Sequence, residues 1–183
     1  MKYLALFSLT SALLLASPMS DDQIVEKGDQ VSSMLVQRLG GELKAQMQNN
    51  GAIGALHFCS QNALSLTEQV AKETHTSLKR VSTNERNPLN KATADEAALL
   101  KKWSDLLKNN QPLPPSAIVN LSPNTAVYYK PIVINNEACL KCHGNVEGEL
   151  AKEIKAAYPE DKATGYKMGD LRGMIAVTIE RTR

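Results

Sequence analysis

Cys139-Leu140-Lys141-Cys142-His143, followed by Gly144, is the stretch on which the reading of this chain turns. It has the form C-x-x-C-H, the attachment signal of a c-type haem. Two thiols three positions apart can each add to one vinyl group of the porphyrin, and the next residue then offers an imidazole as proximal axial ligand. Gly144 suits a chain that must leave the porphyrin edge sharply. Rival chemistries fit less well. A dithiol redox pair normally opens a helix in a βαβ unit, and no such unit precedes this one. A zinc site would lack its second pair of ligands. A disulfide between Cys139 and Cys142 would close a very tight loop and leave His143 without a role. The motif therefore predicts one covalent haem c on Cys139 and Cys142, with His143 on the iron.

What surrounds the motif decides the fold class. Upstream, Val31, Leu35, Leu39, Leu43 and Met47 recur every four residues and predict a helix over 22–48, with a kink at Gly40-Gly41 and a stop at Asn49-Asn50-Gly51. A second helix is expected over 52–73, where Ala52, Leu56, Cys59, Ala63, Leu66 and Val70 share one face. Strand-like alternation follows over 76–82, then a polar turn around Asn87-Pro88. Thr93 and Glu96 form a capping box that opens a helix ending at Asn109-Asn110. Residues 117–121 and 126–134 read as a hairpin about Ser122-Pro123-Asn124-Thr125. After the motif come a short helix from Gly148 stopped by Pro159, a Gly-rich connection over 166–173, and a final strand over 174–179.

Helices first and antiparallel strands afterwards, with helices inserted among them, make an α+β chain. This order excludes the common haem-c folds. In the small all-helical cytochromes the attachment motif comes early, and in the four-helix bundles it lies on the last helix. Here a loop and a strand follow it.

The first residues look like an export signal. Lys2 precedes an apolar run over 3–16, too short for a membrane span, and Pro18 and Asp21 end it. The expected division is a signal peptide over 1–20 and one domain over 21–183, periplasmic and without a membrane anchor after cleavage. Taking off residues 1–20 removes one Lys from 21 basic residues and none of the 19 acidic ones, leaving a net charge of +1. So even a balance argues against nucleic acid or an anionic membrane as partner.

Beyond the motif, a handful of residues invite a role. Cys59 is the odd cysteine, either a buried inert thiol or a ligand. His57 sits about 160° round the same helix from it and is expected on a flank. His75, Met168 and Met174 are other donors for a sixth position, Met168 the best of them. Arg80 and Arg86 flank the turn, and their planar guanidinium groups suit haem propionates. Tyr129 and Tyr166 either border the haem or pack in the core, and core packing is the expected role. No nucleophile–base pair, carboxylate dyad or phosphate loop is visible, which argues against an enzyme.

Several of these stretches recur together in one family. They are the helix holding Cys59, Arg80-Val81-Ser82, Arg86-Asn87-Pro88-Leu89-Asn90, Tyr129 and Pro131, Cys139 to Gly144, and Tyr158-Pro159 through Gly165-Tyr166 to Gly169-Asp170-Leu171-Arg172-Gly173. In them the chain resembles the bacterial c-haem domains with a PAS-like fold, long catalogued as a domain of unknown function. Members of that family occur as stand-alone exported proteins and as sensor halves of membrane kinases and chemoreceptors. The resemblance implies a haem packed between a PAS-like antiparallel sheet and the N-terminal helices, with Cys59 as its distal ligand. Two functions follow as expectations: electron transfer or redox sensing with a redox partner, or sensing of a diatomic gas (NO or CO) when the distal ligand leaves the iron.

Overall fold

The computed structural model describes residues 17–182. The expected signal segment therefore lies mostly outside the described residues. The element order is α1 (Asp21–Glu73), β1 (Ser77–Val81), a 3-10 turn (Pro88–Asn90), α2 (Ala94–Lys108), β2 (Ala117–Ser122), β3 (Thr125–Val133), α3 (Glu137–His143), α4 (Gly148–Ala157) and β4 (Leu171–Glu180). The four strands form one antiparallel sheet in the order β1-β4-β3-β2. The chain is α+β, as its element order predicts. Among the described residues no helix is long and apolar enough to cross a membrane.

Helix α1 is two arms joined at Gly51, whose φ of 67° and ψ of −167° lie outside the helical region. A left-handed φ is cheap for glycine alone, which is why the break falls here. Through Gly40-Gly41, where the sequence suggested a kink, the helix continues uninterrupted. The break is sharp. Arg38 on the first arm pairs with Glu73 at the end of the second, Nη1 to Oε1 at 2.8 Å. In a straight helix, 35 residues would separate the two by about 50 Å.

The sheet lies between α1 and α2, and period-2 alternation sorts its side chains. Ala126 and Tyr128 of β3 and Ile175, Val177 and Ile179 of β4 pack with Ile24, Val31, Leu35 and Val70 of α1. Val127, Tyr129, Met174 and Ala176 point the other way, onto Leu100 and Trp103 of α2. Gly28 sets the approach of α1: a Cβ there would stand 2.2 Å from the Tyr128 ring. Pro131 fits because β2 ends its pairing at Ala117 opposite Tyr129, so β3 has only β4 as neighbour at that point. The α2 capping box forms as expected, the Thr93 hydroxyl accepting from Glu96 N while the Glu96 carboxylate accepts from Thr93 N.

The second arm of α1 starts on α4, with Leu56 against Ile154 and Tyr158, and returns to the sheet core at Val70. This third, small core brings the C-terminal half of α1 over the helix that carries the C-x-x-C-H motif.

Candidate functional site

The motif occupies α3, a seven-residue helix. Asn136 caps it, its side chain accepting from Ala138 N at 2.8 Å. Cys139 and Cys142 stand one turn apart on this helix, and neither is bridged. The sequence reading gave the motif no element of its own. A helix this short is invisible to hydrophobic periodicity.

Three carbonyl contacts fix the end of α3. Gly165 N donates to Gly144 O and Tyr166 N to His143 O, each at 2.9 Å. His143 Nδ1 lies 2.7 Å from Ala163 O. A carbonyl can only accept, so Nδ1 carries the proton and Nε2 keeps its lone pair. Burial, aided by the charges of Arg172 and Arg86, pushes the imidazole down to about 3, against the opposing pull of the Ala163 carbonyl. His143 is thus a neutral, oriented donor with one free nitrogen, the state a metal-ligating histidine needs.

Arg86 braces the same segment. Its Nε donates to Asp161 Oδ1 at 3.0 Å and its Nη2 to Cys142 O at 2.7 Å, with longer contacts to Asp161 Oδ2 and Ala163 O. Both partners of the ion pair are nearly buried, at 11% and 6% exposure. Two edges of the guanidinium are therefore spent on the frame around Cys142 and His143.

Arg80 stands differently. Its position on β1 faces the α1 side of the sheet, where Leu78 also packs. Its Nε is buried with no hydrogen-bond partner among the described residues. Desolvation pushes its pKa down, opposed by Cys59 and Tyr158. Cys59 feels the same neighbourhood: burial pushes its thiol up, with Arg80 and Arg86 pulling it down and Cys142 adding to the rise. Burial likewise raises Cys142 and Tyr158. The fold thus gathers Cys59, Arg80, Arg86, Cys142 and Tyr158 from α1, β1, the turn after it, α3 and the end of α4.

The other candidate donors lie elsewhere. His57 is exposed, 3.5 Å from Glu153 of α4, as its angle from the apolar stripe predicts. His75 is exposed past the end of α1. Met174 is fully buried in the core on the α2 side of the sheet. Met168 is half exposed on a turn.

Some residues at this site escaped the sequence reading. Asp161 and Ala163 stand in an unremarkable polar run, and only the chain's return past α3 gives them partners. Tyr166 packs its ring edge-on against His143, centroids 6.2 Å apart. Arg172 lies over the Tyr166 ring, its guanidinium carbon 5.4 Å from the centroid. The Gly169-Asp170-Leu171-Arg172-Gly173 run was the available signal for it. Tyr129, by contrast, is a core residue as expected.

The sequence model of the Tll0287-like family matches residues 15–180. The chain belongs to the Tll0287-like family. Among solved structures it is similar to the crystal structure of the cyanobacterial haem protein Tll0287, at 22% identity and a TM-score of 0.62. That match covers 92% of this chain and 99% of the other. No curated protein matches the chain. The shared fold agrees with the family resemblance read from Cys139–Gly144 and the stretches around it.

The gathered residues fit a covalently held haem on their own chemistry. Two unbridged thiols sit one helical turn apart, and beside them an imidazole offers its free Nε2. The buried Arg80 guanidinium suits an anionic group such as a propionate, and a third thiol comes from a different helix.

Proposed function

We propose that this is a periplasmic c-type haem protein, non-catalytic, serving electron transfer or redox sensing. Cys139 and Cys142 would hold one haem by thioether bonds, with His143 and Cys59 as the two axial ligands. Bound there, the haem would supply a one-electron Fe(III)/Fe(II) couple. The observation that carries this reading is the meeting of Cys59 and Arg80 with the C-x-x-C-H helix, since no packing need brings a third thiol and an unpartnered buried cation to that spot.

Each residue has a task. Ala163 holds the His143 ring through Nδ1, which leaves Nε2 free as the nitrogen that would hold the iron. Arg86 and Asp161 lock the Cys142 carbonyl and so the pitch of α3. Arg80 places a desolvated positive charge beside Cys59, which favours a thiolate there and also suits a propionate. A Cys59 thiolate would favour the oxidised state of a haem held there, and so a low potential. A redox partner protein is expected to exchange the electron.

One observation favours gas sensing as a second reading. Burial pushes the Cys59 thiol up. With a haem held there, a reduced state would place less positive charge beside Cys59, and the thiol would then keep its proton more readily. A departing side chain on α1 would leave an open position and move the arm that bears it.

The test is production with haem-maturation machinery, followed by acid–acetone extraction. Colour that stays with the denatured chain supports the covalent reading, and colour that washes out ends it. Carbon monoxide added to the ferrous protein separates the two functions: uptake favours gas sensing, refusal leaves electron transfer.

A further inference from the structure

We propose that the cleft between α2 and the segment 164–173 is a second binding site, for a small monocarboxylate, and that its occupant is read at His143. The cleft has a volume of about 480 Å³, within the range of small-molecule sites. None of Cys59, Arg80, Cys139, Cys142 and His143, the residues that would hold the haem, lines it, and it adjoins that site through Tyr166 and Arg172.

Charge selects the ligand. The cleft is lined by Lys101, Lys108 and Arg172 against Asp105 and Asp170. Lys101 and Asp105 neutralise each other at 2.5 Å. The Asp170 carboxylate accepts from Lys167 N at 2.7 Å, which occupies one of its oxygens. That leaves Lys108 and Arg172. Arg172 has no carboxylate partner among the described residues: its Nη1 bonds Ser82 Oγ at 3.0 Å and Asn84 O at 3.2 Å, both neutral. A surplus of one positive charge suits a single carboxylate, whereas the two aspartates repel a multiply charged phosphate. Leu171 and the Tyr166 ring offer an apolar wall for a short hydrocarbon body.

The same wall positions the proximal histidine. Residues 164–166 line the cleft, and their backbone donates to the carbonyls of Gly144 and His143. Tyr166 meets the His143 ring edge-on and also carries Arg172 over its own ring. An anion on Arg172 therefore places negative charge two ring contacts from His143 and stabilises a more positive centre there. This second half of the proposal rests on the haem reading. By linkage, the oxidised protein then binds the carboxylate more tightly than the reduced one.

Calorimetry on the haem-loaded protein, with sodium butyrate as probe, butyramide as its neutral counterpart and sodium chloride at matched ionic strength, tests the site. Butyrate should bind saturably and butyramide should not. Lys108→Gln, an exposed change, should weaken butyrate about two- to fivefold. Ser104→Phe should fill the cleft and abolish binding. The midpoint potential should fall with butyrate in the wild type and stay fixed in Ser104→Phe. No saturable heat at about 10 mM butyrate, tenfold above a millimolar Kd, overturns the site. Binding that survives Ser104→Phe overturns its location, and binding without a shift in potential overturns the reading at His143. Whether butyrate binds at all is read from the heat, whereas failure of the haem reading would show separately, as colour lost on extraction.

Discussion

His143 Nδ1 donates its proton to the Ala163 carbonyl across 2.7 Å, so the imidazole that follows Cys142 is held by a residue 20 positions further on. The motif supplies the chemistry, and a distant return of the chain supplies its direction. Burial makes this a costly place for a charged ring and gives the first prediction. In chain produced without haem, His143 is pushed down to about 3, below its ordinary value of 6.5. The unfolded chain then binds the proton first, so stability is full above pH 6.5 and declines as pH falls toward 3. The loss should approach ~1.4 kcal/mol per pH unit. Between pH 7 and 5, above the range of the carboxylates, melting temperature should drop in the wild type and much less in His143→Ala. Parallel curves would mean that the ring is solvated.

Arg86 and Asp161 make a prediction about the frame. Because both are nearly buried, removing one strands the other. Arg86→Ala should cost about 3–5 kcal/mol, and Arg86→Ala combined with Asp161→Asn should cost less than the sum of the two singles. Chemical denaturation of the four proteins measures this. Strict additivity would show that the pair contributes nothing of its own.

For Arg80 the sign of the effect is the test. Without haem its buried Nε has no partner, so Arg80→Met should raise the melting temperature. With haem attached, the same change should remove a charge-assisted hydrogen bond worth about 1.5–3 kcal/mol and lower it. Equal effects in both forms would leave Arg80 without a role toward the haem.

The start of α1 bears on export. Ser20 caps the helix, its hydroxyl accepting from Gln23 N and its own N–H donating to the Gln23 side chain. Met19 N donates to Arg181 O at 2.9 Å, and Arg181 in turn bonds Met19 O and Asp21. A boundary after residue 20 would discard these contacts, so the proposed export should leave a chain that begins at or before Met19. Intact mass of the secreted protein reads the boundary directly. Ser20→Ala should cost about 1 kcal/mol.

Much of this was legible in the residues, for identifiable reasons. The break at Gly51, the Thr93–Glu96 box and the hairpin at Ser122–Thr125 are local, and local chemistry writes itself into sequence. The bracing of α3 is not local: Asp161, Ala163 and Arg172 have partners 20 to 90 residues away. Arg86 shows the difference well. Its residue type announced an anion, but the geometry gives it Asp161 at close range. Arg80, six positions earlier, is left with a buried Nε unpaired, as is Arg172. Sequence also carried the apolar stripe of α1 too far, since Leu43 is 37% exposed where the first arm runs on past the packed part of the sheet.

Cys59 carries the functional bet. It comes to Cys142 on a separate helix, beside a buried arginine, with its thiol pushed up by burial. If it serves as thiolate to the oxidised iron, the midpoint potential lies well below that of a Met/His cytochrome. Cys59→Ala should then raise the potential by on the order of 0.1–0.3 V, a fraction of the ~0.8 V that axial ligands command. Its ferric spectrum should turn high-spin or water-ligated while the colour stays with the chain. Cys59→Ser separates packing from ligation: it keeps nearly the same volume, so a buried inert thiol would tolerate it with the low-spin spectrum intact, whereas a thiolate ligand would not. A ferric spectrum unchanged in both variants would reduce Cys59 to packing and pass the sixth position to Met168, the half-exposed donor on the 167–170 turn.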